Sequence, residues 1–148
     1  MRQVINSGSN SSTGRIDAIA NGGNAVVVNS GQNAAISAVS EDGNVTINNS
    51  GVSLGLIAAT AFGGGNATVV TSGRAGAFLL VGNNATLINF GSIGSTTSAP
   101  AIEFESGPDT LTNVVGGRVI GGRAFGRQRH REFCRRPLAV HLHDAGSR

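Results

Sequence analysis

Hydrophobic and polar residues alternate in short segments that recur along the chain, and each segment ends in glycine. Four segments align without gaps, at 23–31 (GNAVVVNSG), 43–51 (GNVTINNSG), 65–73 (GNATVVTSG) and 83–91 (NNATLINFG). A partial copy opens the chain at 4–8, and a copy that is one residue longer lies at 107–116. The closing glycines are 18 to 25 residues apart, a period shorter than that of a propeller blade. The pattern predicts stacked coils with constant strands and loops of variable length.

The alignment columns predict which side chains point inward. Because successive side chains of a strand face opposite sides, two apolar columns two residues apart should share the interior. The inner columns are Ala25, Val45, Ala67 and Ala85, and then Val4, Val27, Ile47, Val69, Leu87 and Leu111. The column between them is expected to face outward and contains Val26, Thr46, Thr68, Thr86 and Thr110.

Two asparagine columns flank each strand and indicate corners. One contains Asn24, Asn44, Asn66 and Asn84; the other contains Asn6, Asn29, Asn49, Asn89 and Asn113, with Thr71 substituting once. Asparagine tolerates left-handed backbone and bonds its own turn, and amides stacked in register can bond one another. The glycines that follow are expected to adopt φ > 0 where the chain leaves the strand.

A second apolar segment in each repeat predicts a second strand per coil. Its members are Ile16, Ala18 and Ile19; Ile36, Ala38 and Val39; Leu56, Ile57 and Ala59; Phe78, Leu79 and Leu80; and Ile102 and Phe104. A single coil cannot bury its own apolar face, but stacked coils form a continuous core. The expected fold is all-β, a right-handed parallel β-helix (a β-solenoid) of about five to six coils. A helical fold is disfavoured because Asn, Gly, Thr and Ser form helices poorly.

The composition changes after residue 121. The chain has 148 residues, 23 glycines, no tryptophan or tyrosine and only 13% charged residues, which argues against an enzyme with a large aromatic core. Residues 1–121 contain four arginines and six acids, whereas residues 122–148 contain seven arginines, two acids, all three histidines and the one cysteine. We therefore expect a β-helix repeat region at 1–121 and a disordered, arginine-rich tail at 122–148, such as a frameshift would append.

The tail offers two candidate chemistries. The conventional soft metal ligands are His130, Cys134, His141 and His143, but their spacing matches no paired zinc pattern. A cluster of arginines could bind phosphates without sequence specificity; it contains Arg127, Arg129, Arg131, Arg135 and Arg136. No recognised module surrounds it, so we expect no metal site and no specific nucleic-acid partner. An orphan protein with a basic nucleic-acid-binding tail remains an alternative.

The repeat region offers weaker candidates for catalysis and ion binding. Glu103 and Glu105 are two residues apart and could share a strand face, and glycoside hydrolysis uses paired carboxylates. Glu41 and Asp42 are adjacent, so they should point apart. The turn at 63–66 (GGGN) resembles a glycine-rich calcium turn but lacks the required aspartates. The glycosylation-type triplets at Asn44, Asn66 and Asn84 follow from the repeat itself. We therefore expect no catalytic residue, metal or cofactor, with a β-helix carbohydrate-active enzyme fragment as an alternative.

The units GNVTINNSGV, GNATVVTSGR and GPDTLTNVVGGRVIGG resemble the repeats of bacterial autotransporter passenger domains of the pertactin-like kind. The resemblance covers about residues 1–121. It implies a right-handed parallel β-helix on the outer membrane of a Gram-negative cell or outside it, acting in adhesion, host contact or virulence without a cofactor. No catalytic residue is universal in that family, so none is assigned here.

The chain departs from that family at both ends. It shows neither the apolar middle of a signal peptide nor an apolar run of about 18 residues, and Val4 already belongs to an inner column. The family has a signal peptide and a C-terminal translocator barrel. We therefore expect a passenger fragment whose export by itself is doubtful and whose membrane contact would require the missing barrel. Its expected partners are host or cell-surface glycans or proteins on the β-helix face, and further copies at uncapped sheet edges.

Overall fold

The computed structural model describes residues 1–8, 14–94, 100–105, 107–121 and 123–125. Within these ranges the chain forms fifteen β-strands and no helix, and hence no helix with the length and apolarity of a membrane span. Parallel sheets stack as a β-solenoid of about five turns. The all-β class and the parallel β-solenoid predicted from the repeats are confirmed.

The strands follow one another in short steps around the solenoid. In chain order they are β1 (Arg2–Asn6), β2 (Arg15–Ala20), β3 (Ala25–Asn29), β4 (Gln32–Asn33), β5 (Ala35–Ser40), β6 (Val45–Asn49), β7 (Val52–Ala61), β8 (Ala67–Thr71), β9 (Arg74–Val81), β10 (Ala85–Asn89), β11 (Ser92–Gly94), β12 (Ile102–Glu105), β13 (Asp109–Asn113), β14 (Arg118–Ile120) and β15 (Arg123–Phe125).

The first sheet has the order β1-β3-β6-β8-β10-β13. Its strands pair in parallel so that equivalent residues of successive repeats lie opposite each other: Val27 pairs with Ile47, and Leu87 with Val69. These four side chains have no exposed surface. The predicted aliphatic column is therefore a buried stack, while the threonines between the two inner columns are half-buried or exposed on the other side of the sheet.

The second sheet consists of two blocks of strands. A register shift between Ser53 and Leu56 divides β7. The residues before the shift belong to a short block with β4, the start of β9, β11 and β14. The residues after it belong to a longer block with β2, β5, the end of β9, β12 and β15.

The predicted second strand lies in the longer block and alternates between core and surface. Its buried members are Ile16, Ala18, Ile36, Ala38, Ile57, Ala59, Phe78, Leu80, Ile102 and Phe104. Two other apolar residues of the same segments face outward, since Ile19 and Leu56 are 52% and 43% exposed. Ile19 lies between buried Ala18 and Ala20, so the alternation of a strand directs its side chain to solvent.

The buried asparagine column forms the predicted amide ladder. Asn6 Nδ2 donates to Asn29 Oδ1 at 2.8 Å, and Asn29 Nδ2 donates to Asn49 Oδ1 at 2.7 Å. Asn49 Nδ2 continues to Thr71 Oγ1 at 3.2 Å. Since buried polar atoms are costly unless they are hydrogen-bonded, the ladder lets amides occupy the core at this corner.

The closing glycines are required for a reason other than the predicted one. Gly31, Gly51, Gly73 and Gly91 do not have positive φ. A Cβ on Gly51 would instead clash with the carbonyl oxygen of Gly31, one rung away, and the other three have the same kind of neighbour. The prediction of φ > 0 was wrong for these positions, because they accommodate close approach of successive rungs.

The last repeat also differs from its predicted alignment. Gly116 has φ 94°, but Arg118 pairs with Ser92, which places Gly117 opposite Gly91. The turn inserts two residues, so Gly117 takes the position that the alignment gave to Gly116. In the predicted tail, β15 pairs with β12 through Arg123 and Ile102. The disorder predicted for the other residues of 122–148 concerns residues outside the described ranges.

Candidate functional site

The outward side of the first sheet carries two regular columns, which together we name the threonine face. The first column contains Gln3, Val26, Thr46, Thr68, Thr86 and Thr110, and the second contains Ile5, Val28, Asn48, Val70, Ile88 and Thr112. Neighbouring strands of a sheet lie about 4.8 Å apart. The in-register pairing therefore repeats one hydroxyl-bearing position at about that interval over four successive strands, from β6 to β13.

The exposed asparagine column borders the threonine face. The backbone N–H of Asn44 donates to Asn24 Oδ1 at 3.0 Å, and that of Asn66 donates to Asn44 Oδ1 at 2.9 Å. Asn84 Nδ2 donates to Asn66 Oδ1 at 3.0 Å. These hydrogen bonds between successive rungs fix the edge of the threonine face that the exposed asparagine column borders. The column also stacks the three asparagines of the glycosylation-type triplets directly over one another.

The two candidate carboxylates lie together on a different face. Glu103 and Glu105 are outward residues of β12, Glu103 half-buried and Glu105 exposed, and they pair with Leu79 and Val81 of β9. The structure thus brings them to one face, as their spacing predicts. Glu41 and Asp42 are exposed in the turn after β5 and do not belong to this face.

A groove of about 330 Å³ lies at the turn that resembles a calcium loop. Its lining comprises Ala61, Phe62, Gly63, Gly64, Val81, Gly82, Asn83 and Gly107. Gly63 and Gly64 have φ of 61° and 86°, so glycine provides a left-handed turn here. The lining contains no carboxylate, and the described part of the chain contains no group of three His, Cys, Asp or Glu side chains placed to hold a metal. Residues His130, Cys134, His141 and His143 lie outside that part.

The outward side of the short block carries a column that the sequence analysis did not identify. We name it the arginine column; it contains Gln32, Val52, Arg74, Ser92 and Arg118. Arg74 directly follows closing Gly73, and Arg118 directly follows Gly117. Aligning the residue after each closing glycine would have found Arg74, while Arg118 also required the two-residue insertion in the last turn. The tail arginines Arg127, Arg129, Arg131, Arg135 and Arg136 lie outside the described ranges.

Comparisons of the chain with protein-family models, with curated proteins and with solved structures gave no match. The assignment of the fold therefore rests on the strand pairing described above. The resemblance to autotransporter passenger domains has no support from these comparisons, and function has to be argued from the faces of the solenoid.

Proposed function

We propose that this chain is a non-catalytic structural or adhesive scaffold whose threonine face makes many weak contacts with glycans or proteins of a cell surface. The observation that carries the proposal is the repetition of outward hydroxyl groups at Thr46, Thr68, Thr86 and Thr110 along one register. Each hydroxyl both donates and accepts a hydrogen bond. A ligand with its own repeat could engage several positions at once, and linked weak contacts add up to useful avidity.

The rigidity of the support favours such a role. Thr46, Thr68 and Thr86 each lie between two buried aliphatic residues, and the asparagine columns bond the corners on both sides of the strands. A ligand would then encounter side chains whose backbone is already ordered, so less conformational entropy is lost on binding.

The test measures binding of the full chain to a glycan array and to intact cells. A triple variant Thr46→Val, Thr68→Val and Thr86→Val removes three hydroxyl groups at nearly constant volume. Thr60→Val makes the same chemical change on the outward side of β7 and serves as the matched control. We expect the triple variant to lose binding to cells and to the neutral glycans of the array, and the control to retain it. Equal binding by both variants, or no binding by the unmodified chain, would contradict the proposal.

We also propose that the chain derives from an autotransporter passenger domain and that its parent protein acts at the cell surface or outside the cell. The support is the resemblance of the repeat units together with their arrangement as stacked parallel coils. Sequencing the surrounding gene tests this. A signal peptide upstream and a translocator barrel downstream are expected in the reading frame of the repeat region, and a long reading frame of that region that contains neither would refute the assignment.

The alternative is a carbohydrate-active enzyme, and the observation in its favour is the shared face of Glu103 and Glu105. Retaining and inverting glycosidases both require two carboxyl groups flanking the scissile bond. Release of reducing sugar from a panel of polysaccharides separates the two functions. The scaffold proposal predicts no release by the unmodified chain, whereas an enzyme would show release that Glu103→Gln abolishes.

A further inference from the structure

The arginine column places two guanidinium groups on one outward line with a serine between them. Ser92 of β11 pairs with Arg74 of β9 on one side and with Arg118 of β14 on the other. Two strand spacings separate the arginine backbones, which is about 10 Å. Both arginines are exposed, so they present two positive charges at a spacing set by the sheet.

Neither guanidinium has an ion pair or hydrogen bond with any other part of the described chain. The repeat-region acids lie elsewhere: one on β2, two in the turn after β5, two on β12 and one, buried, at the start of β13. The short block therefore has a local positive charge even though residues 1–121 contain more acids than arginines. Arginine is suited to pairing with carboxylates, since its planar fork binds both oxygens.

The backbone beneath the two arginines is fixed by the corner bonds. The N–H of Arg74 donates to the carbonyl of Gly51 at 2.9 Å, and that of Arg118 donates to the carbonyl of Gly91 at 2.8 Å. The amide of buried Asn89 donates to the carbonyl of Arg118 at 3.3 Å, and the amide of Asn49 to that of Arg74 at 3.5 Å. The arginine column is thus anchored to two residues of the buried asparagine column, Asn49 and Asn89.

An aromatic side chain lies at the corner of the intermediate rung. Phe90 is 50% exposed and precedes Ser92 by two residues. Its N–H donates to the carbonyl of Thr71 at 2.8 Å, which holds its backbone at a position that serine occupies in four other repeats, at Ser7, Ser30, Ser50 and Ser72. The chain therefore exposes an apolar ring at the corner that leads into Ser92, in the rung between the two arginines.

We propose that Arg74, Phe90 and Arg118 form a binding site for an extended acidic polysaccharide composed of uronic acids. The apolar face of one sugar ring packs on Phe90, and carboxylates of the flanking sugars pair with the two guanidinium groups. Ser92 supplies a hydroxyl to the bound chain. This inference specifies a class of ligand for the proposed scaffold and therefore rests on that proposed function, although the site lies on a different face from the threonine face.

Nucleic acid fits these observations less well. Proteins that bind single strands use several aromatic rings for successive bases together with a basic groove along the backbone. Two phosphate contacts would also release few counterions, so they would give only weak binding to a nucleic acid. One ring between two arginines suits a polymer that alternates an apolar ring surface with spaced carboxylates.

The test measures the Kd of polygalacturonate for the full chain by isothermal titration calorimetry at moderate salt. All proteins carry glutamine at the tail positions 127, 129, 131, 135 and 136, which removes five of the seven arginines of residues 122–148. The double variant Arg74→Gln, Arg118→Gln is compared with Arg2→Gln, Arg15→Gln, which makes the same change in net charge at the other end of the solenoid. Phe90→Ser restores the residue used in the other repeats.

We expect the Arg74, Arg118 variant to bind roughly tenfold more weakly, as the loss of two exposed ion pairs implies, and Phe90→Ser to be weakened as well. The Arg2, Arg15 variant should bind like the parent protein that carries only the five tail substitutions. Fully methyl-esterified polygalacturonate, which lacks the charges, should not bind measurably. Circular dichroism of each variant verifies the fold.

Equal affinity of both arginine variants, equal binding of the methyl ester, or tighter binding of single-stranded DNA than of polygalacturonate would overturn the proposed site. If cells or neutral glycans are still bound through the threonine face in any of these cases, only the arginine site fails. If the unmodified chain binds no polymer and no cell, both proposals fail.

Discussion

The contribution of the asparagine ladder to stability can be tested at Asn49, which is 1% exposed. Replacing it with alanine removes the acceptor for Asn29 Nδ2 at 2.7 Å and the donor to Thr71 Oγ1 at 3.2 Å. The carbonyl of Arg74 also loses its longer bond of 3.5 Å. Asn29 Nδ2 retains one bond, to the carbonyl of Gly31 at 3.3 Å, and Asn29 Oδ1 still accepts from Asn6 Nδ2, so the ladder is broken at Asn49 rather than rearranged.

The expected loss of stability follows from the two shorter bonds of Asn49, those to Asn29 and Thr71. A buried group left without its partner costs about 1–3 kcal/mol, and Asn29 is partly compensated by Gly31. We therefore expect Asn49→Ala to reduce the free energy of unfolding by roughly 2–4 kcal/mol, the upper part of this range including the cavity left by the amide. Asn49→Thr should recover part of the loss, because Thr71 occupies the equivalent position one rung further on.

Urea unfolding followed by far-ultraviolet circular dichroism measures this change, since the chain contains no tryptophan or tyrosine. Asn44→Ala is the matched control: it makes the same substitution in the exposed asparagine column, where water can replace the lost bond to Asn66. The control should cost less than about 1 kcal/mol. If Asn49→Ala cost no more than Asn44→Ala, the buried ladder would not be what stabilises this corner.

Three further substitutions test the core and the rung contacts. Ile47→Ala, at a fully buried position, should lower the free energy of unfolding by about 2–5 kcal/mol, whereas outward Thr68→Ala should change the urea midpoint little. Gly51→Ala should destabilise by roughly 1–3 kcal/mol or more because its Cβ meets the carbonyl of Gly31, while Gly22→Ala, with open space around it, should have little effect; equal midpoints would contradict the close-packing explanation. Ser53 is buried, and its hydroxyl has no hydrogen-bond partner in the described structure. Ser53→Ala should therefore be neutral or raise the melting temperature, as Ala75 in the same column suggests, and a large decrease would show that the hydroxyl is satisfied in solution.

The inner and outward columns could be predicted from the sequence because each strand alternates on its own and the repeats carry the same residues. Register then follows, since a slip of one residue would move Val27 or Ile47 from the core to solvent. The candidate carboxylates Glu103 and Glu105 were predicted to share a face on the same local basis. The arginine column was missed: aligning the residue after each closing glycine would have found Arg74, but the place of Arg118 depends on the insertion before Gly117, which local spacing does not reveal.

The order of the amino acids is enough to predict the strand pattern, the buried aliphatic stack and the amide ladder, because these arise from alternation within a strand and from like residues at like positions. The three-dimensional structure was needed to show how the second sheet divides at the shift between Ser53 and Leu56, why the closing positions require glycine, and which charges share a face. These features depend on how loops of unequal length bring successive rungs together. Contacts between rungs are set by the distance between backbones in space, which no single repeat contains.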